Sequence, residues 1–278
     1  MINYNENFIN ESEHDLLNRG FLYGDSVFES IKIINNKIIF WEDHYMRLMS
    51  SMRVARIEIP DNYTPEFFKS QILNTISKVN SNFYGRVRLS VFRDGGGYYT
   101  PVSMSPNFII HCAISEVKNY LIKNGDFKVD LFKDYYIQDN LLSNLKTNNK
   151  LINVLAGIYS NENNLDNCIL LNNKKNVAEF LNGNLFIVNE NKIKTPSLDS
   201  GCLKGVMRKK IIEYSKFFPE YNLEETTISP FELLSAKEIW LTNSILGIVP
   251  VTSYRNKIFT NDLAKIFIKF LNKKVTDF

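Results

Sequence analysis

Between Ser26 and Ala55 the apolar period changes once, from two to 3.6, and that switch excludes both an all-helical and an all-strand fold. Val27-Phe28-Glu29-Ser30-Ile31-Lys32-Ile33-Ile34 and Lys37-Ile38-Ile39-Phe40 read as two strands joined by an Asn35-Asn36 hairpin turn. From Trp41 onward Tyr45, Leu48, Met49, Met52 and Ala55 recur at helical spacing, with Glu42 and Asp43 at the entry and Pro60 beyond the end. Pro65 to Val79 predicts a second amphipathic helix with proline in its first turn. Strands follow at Gly85–Arg93 and Asn107–Ile114, separated by the loop Asp94-Gly95-Gly96-Gly97. The first half is therefore expected to be strands with two helices, an α+β pattern.

The second half alternates in the same way. Phe127–Phe132, Asn167–Leu171, Asn184–Val188, Lys192–Thr195 and Glu238–Thr242 read as strands. Helices are expected at Asn149–Tyr159, where Leu151, Val154, Leu155 and Ile158 recur, at Gly205–Phe217, from Pro230, and at Asp262–Leu271. The apolar pattern weakens between Ser115 and Gly125. The chain of 278 residues is near the upper size for one core, so two domains are expected: 1–115, a linker over 116–125, and a larger domain over 126–278.

A hydrophobic content of 44% supports a packed interior. The formal net charge of +3, with basic residues scattered among acidic ones, argues against a nucleic-acid partner and suits small anionic ligands. Cys112, Cys168 and Cys202 have neither the number nor the spacing of a disulfide framework or a zinc site, so no metal and a reducing, cytoplasmic setting are expected. No basic leader and no apolar run of membrane-spanning length is visible, so no membrane partner is expected.

Four stretches could carry chemistry. Lys146 stands between Leu145 and the polar run Thr147-Asn148-Asn149, just before a helix. A lysine works as a nucleophile only when its amine is free to form an imine. Taken singly, Lys146 reads as a surface lysine, and Lys123, Lys150 and Lys204 are its equals on paper. Glu179 follows 33 residues later, directly before a strand; it reads either as an exposed turn glutamate or as a carboxylate that could face a pyridine nitrogen. Gly205 opens a helix whose Val206 and Met207 N–H groups could face a phosphate. Ser244 lies at the end of a strand, where hydroxyls serve either turns or oxygen-rich ligands.

The order and spacing of these stretches resemble the class IV, or fold-type IV, pyridoxal-phosphate enzymes, over nearly the whole chain. That group includes branched-chain aminotransferases, D-amino-acid aminotransferases and aminodeoxychorismate lyases. Arg19-Gly20-Phe21-Leu22-Tyr23-Gly24-Asp25-Ser26-Val27-Phe28-Glu29 is similar to the N-terminal signature of the group. His44-Tyr45-Met46-Arg47-Leu48 is similar to its phosphate-contacting helix, Leu145-Lys146-Thr147 to its Schiff-base segment, and Glu179 with Asn184-Leu185-Phe186 to its pyridine-nitrogen segment. The resemblance implies a two-domain α+β fold with pyridoxal 5'-phosphate in the cleft between domains, and a homodimer. It implies Lys146 as Schiff-base and proton-shuttling residue, Glu179 at the ring nitrogen, and Arg47, Val206, Met207 and Ser244 at the phosphate. Tyr23 and Arg88 fall on the substrate side. Alternation puts Arg86 and Arg88 on one strand face, so either could clamp a carboxylate, and a salt-bridge role is an equal alternative.

Residues that distinguish members of the group point in two directions. Leu151 stands where branched-chain aminotransferases resemble one another in a tyrosine, and Lys146-Thr147-Asn148-Asn149-Lys150-Leu151 is more similar to the lyases. Against a lyase, Arg93-Asp94-Gly95-Gly96-Gly97-Tyr98-Tyr99 lacks an additional arginine for a second substrate carboxylate. The expected activity is transfer of an amino group from a small or branched-chain amino acid to a 2-oxo acid. The alternatives are an aminodeoxychorismate lyase releasing pyruvate and 4-aminobenzoate, and a non-catalytic binding protein on the same fold.

Overall fold

The period-two stretch and the helix after it form the frame of the first structural unit. In the computed structural model, residues 2–9, 18–122 and 125–276 are described, so Lys123 lies outside the described residues. β3 (Ser26–Ile34) and β4 (Lys37–Ile38) pair through the Asn35-Asn36 turn, where both asparagines adopt positive φ. β1 (Ile2–Tyr4), β2 (Asn7–Ile9), β5 (Gly85–Arg93) and β6 (Pro106–Ile114) complete an antiparallel six-stranded sheet in the order β2-β1-β6-β5-β3-β4. Val27, Ile31, Ile33, Val87, Leu89, Val91, Phe108 and Ile110 are buried on one face of it. α2 (Trp41–Val54) and α3 (Pro65–Ser77) cover that face with Leu48, Met52, Phe68, Ile72 and Ile76. Arg19–Asp25 contains a single helical turn, α1 (Arg19–Leu22), capped by Asn18.

The second unit is larger. β7 (Lys128–Ile137), β8 (Asn167–Asn172), β9 (Val177–Phe180), β15 (Ser253–Tyr254) and β16 (Lys257–Ile258) form a sheet in the order β16-β15-β7-β8-β9. β10 (Asn184–Asn189), β11 (Lys192–Pro196), β12 (Asn222–Thr226), β13 (Glu238–Asn243) and β14 (Gly247–Pro250) form another, in the order β12-β11-β10-β13-β14. Buried side chains of both sheets, among them Val129, Ile169, Val177, Leu185, Ile239 and Leu241, share one core. α4 (Leu151–Glu162) packs on β7 and β8, α5 (Val206–Ser215) and α7 (Asp262–Thr276) on β13, and α6 (Glu232–Ser235) is one turn.

The units comprise Met1–Asn119 with Lys146–Asn149, and Tyr120–Leu145 with Lys150–Phe278. The short segment Lys146–Asn149 thus belongs to the first unit although the chain on both sides of it belongs to the second. Nothing in the hydrophobic pattern signals that return, because it rests on backbone pairing. In α4 three of the four periodic residues lie off the buried face: Leu151, Val154 and Ile158 are 71%, 57% and 50% exposed, whereas Leu155 packs against the core and Ala156 and Ser160 are buried.

Glu238 shows how the second unit holds its last helix. It is buried at the start of β13 and accepts hydrogen bonds from the N–H groups of Leu263 and Ala264 at 2.8 and 3.1 Å and from Trp240 Nε1 at 2.8 Å. A carboxylate from a neighbouring strand therefore caps α7 in place of a local side chain. Glu238→Ala is expected to cost about 2 kcal/mol or more, because three donors lose their acceptor in a buried setting. A urea midpoint equal to that of the parent would show that α7 needs no such cap.

Candidate active site

Lys146 follows a 3₁₀ turn at Leu141–Asn144 and precedes α4. Two backbone bonds fasten the segment to β3: Phe28 N–H donates to the Lys146 carbonyl at 2.8 Å, and Asn148 N–H to the Ser26 carbonyl at 3.1 Å. Gly24 admits Asn149 here. Its φ is +63°, and a Cβ on it would collide with Asn149 Oδ1. Lys146 is half-buried, and its Nζ lies 4.5 Å from the centroid of the Phe28 ring. Lys150 and Lys204 are placed otherwise, at the N-cap of α4 and in the loop before α5.

Arg47 is not the solvated helix arginine that its sequence context allows. Its Nε and Nη2 donate to Glu29 Oε1 and Oε2 at 2.8 and 2.5 Å, and His44 Nδ1 donates to Oε2 at 2.6 Å. Glu29 and His44 are 1% and 0% exposed. Because an ionised carboxylate only accepts, the Glu29 contact requires the imidazole proton on Nδ1. The opposite nitrogen, Nε2, is buried without a hydrogen-bond partner among the described residues. Burial raises the Glu29 pKa, but the Arg47 charge and the hydrogen bonds from Arg47 and His44 outweigh it and hold the carboxyl at about 2. Burial keeps His44 below its ordinary 6.5 despite the pull of Glu29, and the nearby charges of Arg47 and Lys146 push the same way.

Arg86 and Arg88 project from the opposite face of the same sheet. Arg88 Cζ lies 3.7 Å from the Phe28 ring centroid, its Nη2 donates to Asn148 Oδ1 at 2.8 Å, and its Nε to Ser90 Oγ at 3.2 Å. Arg86 Nη2 donates to Ser30 Oγ at 3.2 Å. Neither has a carboxylate partner among the described residues, so the structure does not bear out a salt-bridge role for either. Tyr23 precedes Gly24, against which Asn149 packs. The Arg19 guanidinium lies over its ring at 4.8 Å, and Tyr99 meets it edge-on at 5.9 Å.

Glu179, Val206, Met207 and Ser244 all belong to the second unit. Glu179 is in β9, opposite Leu170 of β8, and 6% exposed, which corrects its reading as an exposed turn residue. β9 is too short for its alternation to register, and the sheet around it hides the carboxylate. Glu179 Oε2 accepts from Leu203 N–H at 2.9 Å, and Asn184 Nδ2 donates to the Leu203 carbonyl at 2.8 Å. Gly205 is the N-cap of α5 without a side-chain cap, and a Cβ there would collide with Asn184 Oδ1. Val206 and Met207 start that helix, buried, with first-turn N–H groups that have no carbonyl one turn earlier. Ser244 is buried after β13; its carbonyl accepts from Tyr120 Oη at 2.9 Å.

Sequence reasoning assigned no role to Glu29, His44, Phe28, Asn148 or Asn184. Glu29 had a visible signal, a carboxylate on the core-facing side of an alternating strand. His44 lies three residues before Arg47 on one helix face. Asn184 was visible only as part of the segment that resembles the pyridine-nitrogen one, and Asn148 had no signal, since each acts through a contact distant in sequence.

Residues 26–254 match the family model described as amino-transferase class IV. A Methanocaldococcus jannaschii protein, provisionally named a branched-chain-amino-acid aminotransferase, is 29% identical over 98% of this chain and 94% of its own length. An aminodeoxychorismate lyase of Vibrio harveyi is 26% identical over 84% of both chains. The crystal structure of a branched-chain aminotransferase from Thermoproteus uzoniensis with norvaline superposes with a TM-score of 0.88 at 20% identity, covering 98% of this chain and 93% of that one.

Proposed function

The chain belongs to the class IV amino-transferase family, and on that premise we propose that it moves an amino group from a small or branched-chain amino acid to a 2-oxo acid, using pyridoxal 5'-phosphate. The observation that carries this reading is the delivery of Lys146. Backbone pairing on both sides of the lysine fixes the segment, and the amine lies 4.5 Å from the centroid of the Phe28 ring that the Arg88 guanidinium also contacts.

The residues present fit the cofactor. An amine, a guanidinium held in plane by a buried carboxylate, a second buried carboxylate and a helix start kept clear by a required glycine match an aldehyde, a phosphate and a basic ring nitrogen. When bound, pyridoxal phosphate supplies an aldehyde that condenses with amines and a ring that takes up the electron pair left by a departing α-proton. In this reading Lys146 would hold the cofactor through its amine and would take and return the proton at the substrate α-carbon. Glu179 keeps a proton on the ring nitrogen. Arg47, the Val206 and Met207 N–H groups and Ser244 bind the phosphate, and Tyr23 and Arg88 serve the substrate.

We further propose a homodimer, supported by the solvent-facing apolar row Leu151, Val154 and Ile158, with the exposed Leu141 and Leu142 a few residues ahead of it in the chain. Among the described residues, no helix is long and apolar enough to cross a membrane.

A second reading, an aminodeoxychorismate lyase, is supported by Leu151 and by the Vibrio harveyi relative. An amino-donor panel with 2-oxoglutarate, run beside aminodeoxychorismate, separates the two. Keto acid formed from leucine, valine or alanine only when an acceptor is present is the expected result. Pyruvate and 4-aminobenzoate released from aminodeoxychorismate without an acceptor would overturn the transaminase reading.

A further inference from the structure

The chain enters the second unit at Tyr120, and this residue is fastened there at once. Its N–H donates to Asn272 Oδ1 at 2.9 Å and its carbonyl accepts from Asn272 Nδ2 at 2.7 Å, which ties the backbone to α7. Its side chain is 1% exposed and reaches the turn between β13 and β14. The ring fills the space where Gly247 would carry a Cβ, 2.5 Å from Tyr120 Cδ1. Gly247 also has a φ of +78°, so space and conformation both call for glycine there. Tyr120 Oη donates to the Ser244 carbonyl at 2.9 Å. Burial pushes the phenol above its ordinary 10, which keeps the hydroxyl a donor across the neutral range. Asn243 holds the same turn. Its Oδ1 accepts from the N–H groups of Ile245 and Leu246 at 3.0 and 2.8 Å, and its Nδ2 donates to the Asn182 carbonyl at 3.1 Å. A peptide unit is planar, so its carbonyl and its N–H turn together. The Ser244–Ile245 unit is therefore gripped at both polar ends, by Tyr120 at the carbonyl and by Asn243 at the N–H. That grip fixes the Ser244 backbone and leaves its hydroxyl only the choice of a staggered χ1 well. None of these bonds uses the Ser244 hydroxyl.

We propose that Tyr120 is a positioning residue for the cofactor phosphate: through its hydroxyl it holds the Ser244 peptide in the orientation from which the Ser244 hydroxyl meets that phosphate. The inference rests on the reading of Ser244 as a phosphate-binding residue. Tyr120 acts through Ser244 and does not bind the phosphate itself, because its one hydroxyl proton goes to the carbonyl and a phosphate dianion can only accept. The effect is therefore confined to ligands that carry a phosphate.

The test titrates the full chain, freed of cofactor, with pyridoxal phosphate and with pyridoxal, which lacks the phosphate, and reads the ratio of the two affinities. In Tyr120→Phe the ring and its packing on Gly247 stay and only the hydrogen bond goes. Affinity for pyridoxal phosphate should then fall about fivefold, and affinity for pyridoxal by less than about twofold. Ser244→Ala should shift the ratio at least as far. The double variant should shift it no further than Ser244→Ala alone, because a residue that acts through Ser244 has nothing to act on once that hydroxyl is gone. Asn272→Ala frees the Tyr120 backbone and keeps the hydroxyl bond, so it should lower the urea midpoint and leave the ratio where it is. A Tyr120→Phe chain with the parent's ratio, shifts that add in the double variant, or an Asn272→Ala ratio displaced as far as that of Tyr120→Phe each overturn the inference while Ser244 keeps its place. A Ser244→Ala chain with the parent's ratio would instead remove Ser244 from the phosphate site, and the inference would fall with that reading.

Discussion

Lys146→Ala should abolish turnover, with kcat lowered by on the order of 10⁴-fold or more, since in the proposed function one side chain both holds the cofactor and moves the proton. The protein should remain folded. Lys146 is half-buried, its segment is fixed by backbone bonds that alanine keeps, and its side chain lies on an aromatic face outside the core. A second readout locates the attachment directly. Borohydride reduction of the parent loaded with pyridoxal phosphate should leave the cofactor on the peptide containing Lys146. Recovery of the adduct on Lys150 or Lys204 instead, or an alanine variant that still turns over, would refute the assignment. In the variant, added primary amines should restore part of the activity, because a free amine can take the proton that Lys146 would have carried.

The strands, the helices and the α+β class were readable because their periodicities are local. From Val27 to Ala55 no tertiary information was needed: alternation on β3 and the 3.6 period on α2 each announce themselves within a short window. The resemblance to the class IV group was readable for a related reason, because its motifs are short runs in a fixed order. What stayed hidden depends on contacts between distant residues. That the Glu179 side chain is buried shows only when β8 is placed beside β9. Why the helix at Gly205 must open on a glycine shows only when Asn184 is found where its Cβ would be. The α4 periodicity gave the helix correctly, yet Leu151, Val154 and Ile158 face solvent, because a period reports that a helix has an apolar side and not what covers it.

Replacing Glu29 should produce the largest loss of stability. Glu29→Gln keeps the shape and removes the charge that faces the Arg47 guanidinium, whose side chain is 10% exposed. Breaking a buried pair in this way costs about 3–5 kcal/mol. The pKa gives a similar size: a carboxyl held at about 2 against its ordinary 4.5 corresponds to roughly 3 kcal/mol. The sign follows from the direction of the shift. A depressed carboxyl pKa contributes stability that is fully present above about 4.5 and is lost as the pH falls towards about 2. His44, also depressed, adds a loss of the same sign as the pH falls below its ordinary 6.5, because the unfolded chain takes up that proton first. The parent and Glu29→Gln should therefore differ most in urea midpoint near neutral pH and converge between about 4.5 and 2. A difference that stays constant across this window would show that the pair does not stabilise through its charge. The same variant bears on the proposed phosphate site. With Glu29 no longer fixing the Arg47 plane, affinity for pyridoxal phosphate should fall by about tenfold, while affinity for pyridoxal, which lacks the phosphate, should fall much less. Equal losses for the two would assign Glu29 to folding alone, and an Arg47→Ala variant that binds both as the parent does would remove Arg47 from the phosphate site.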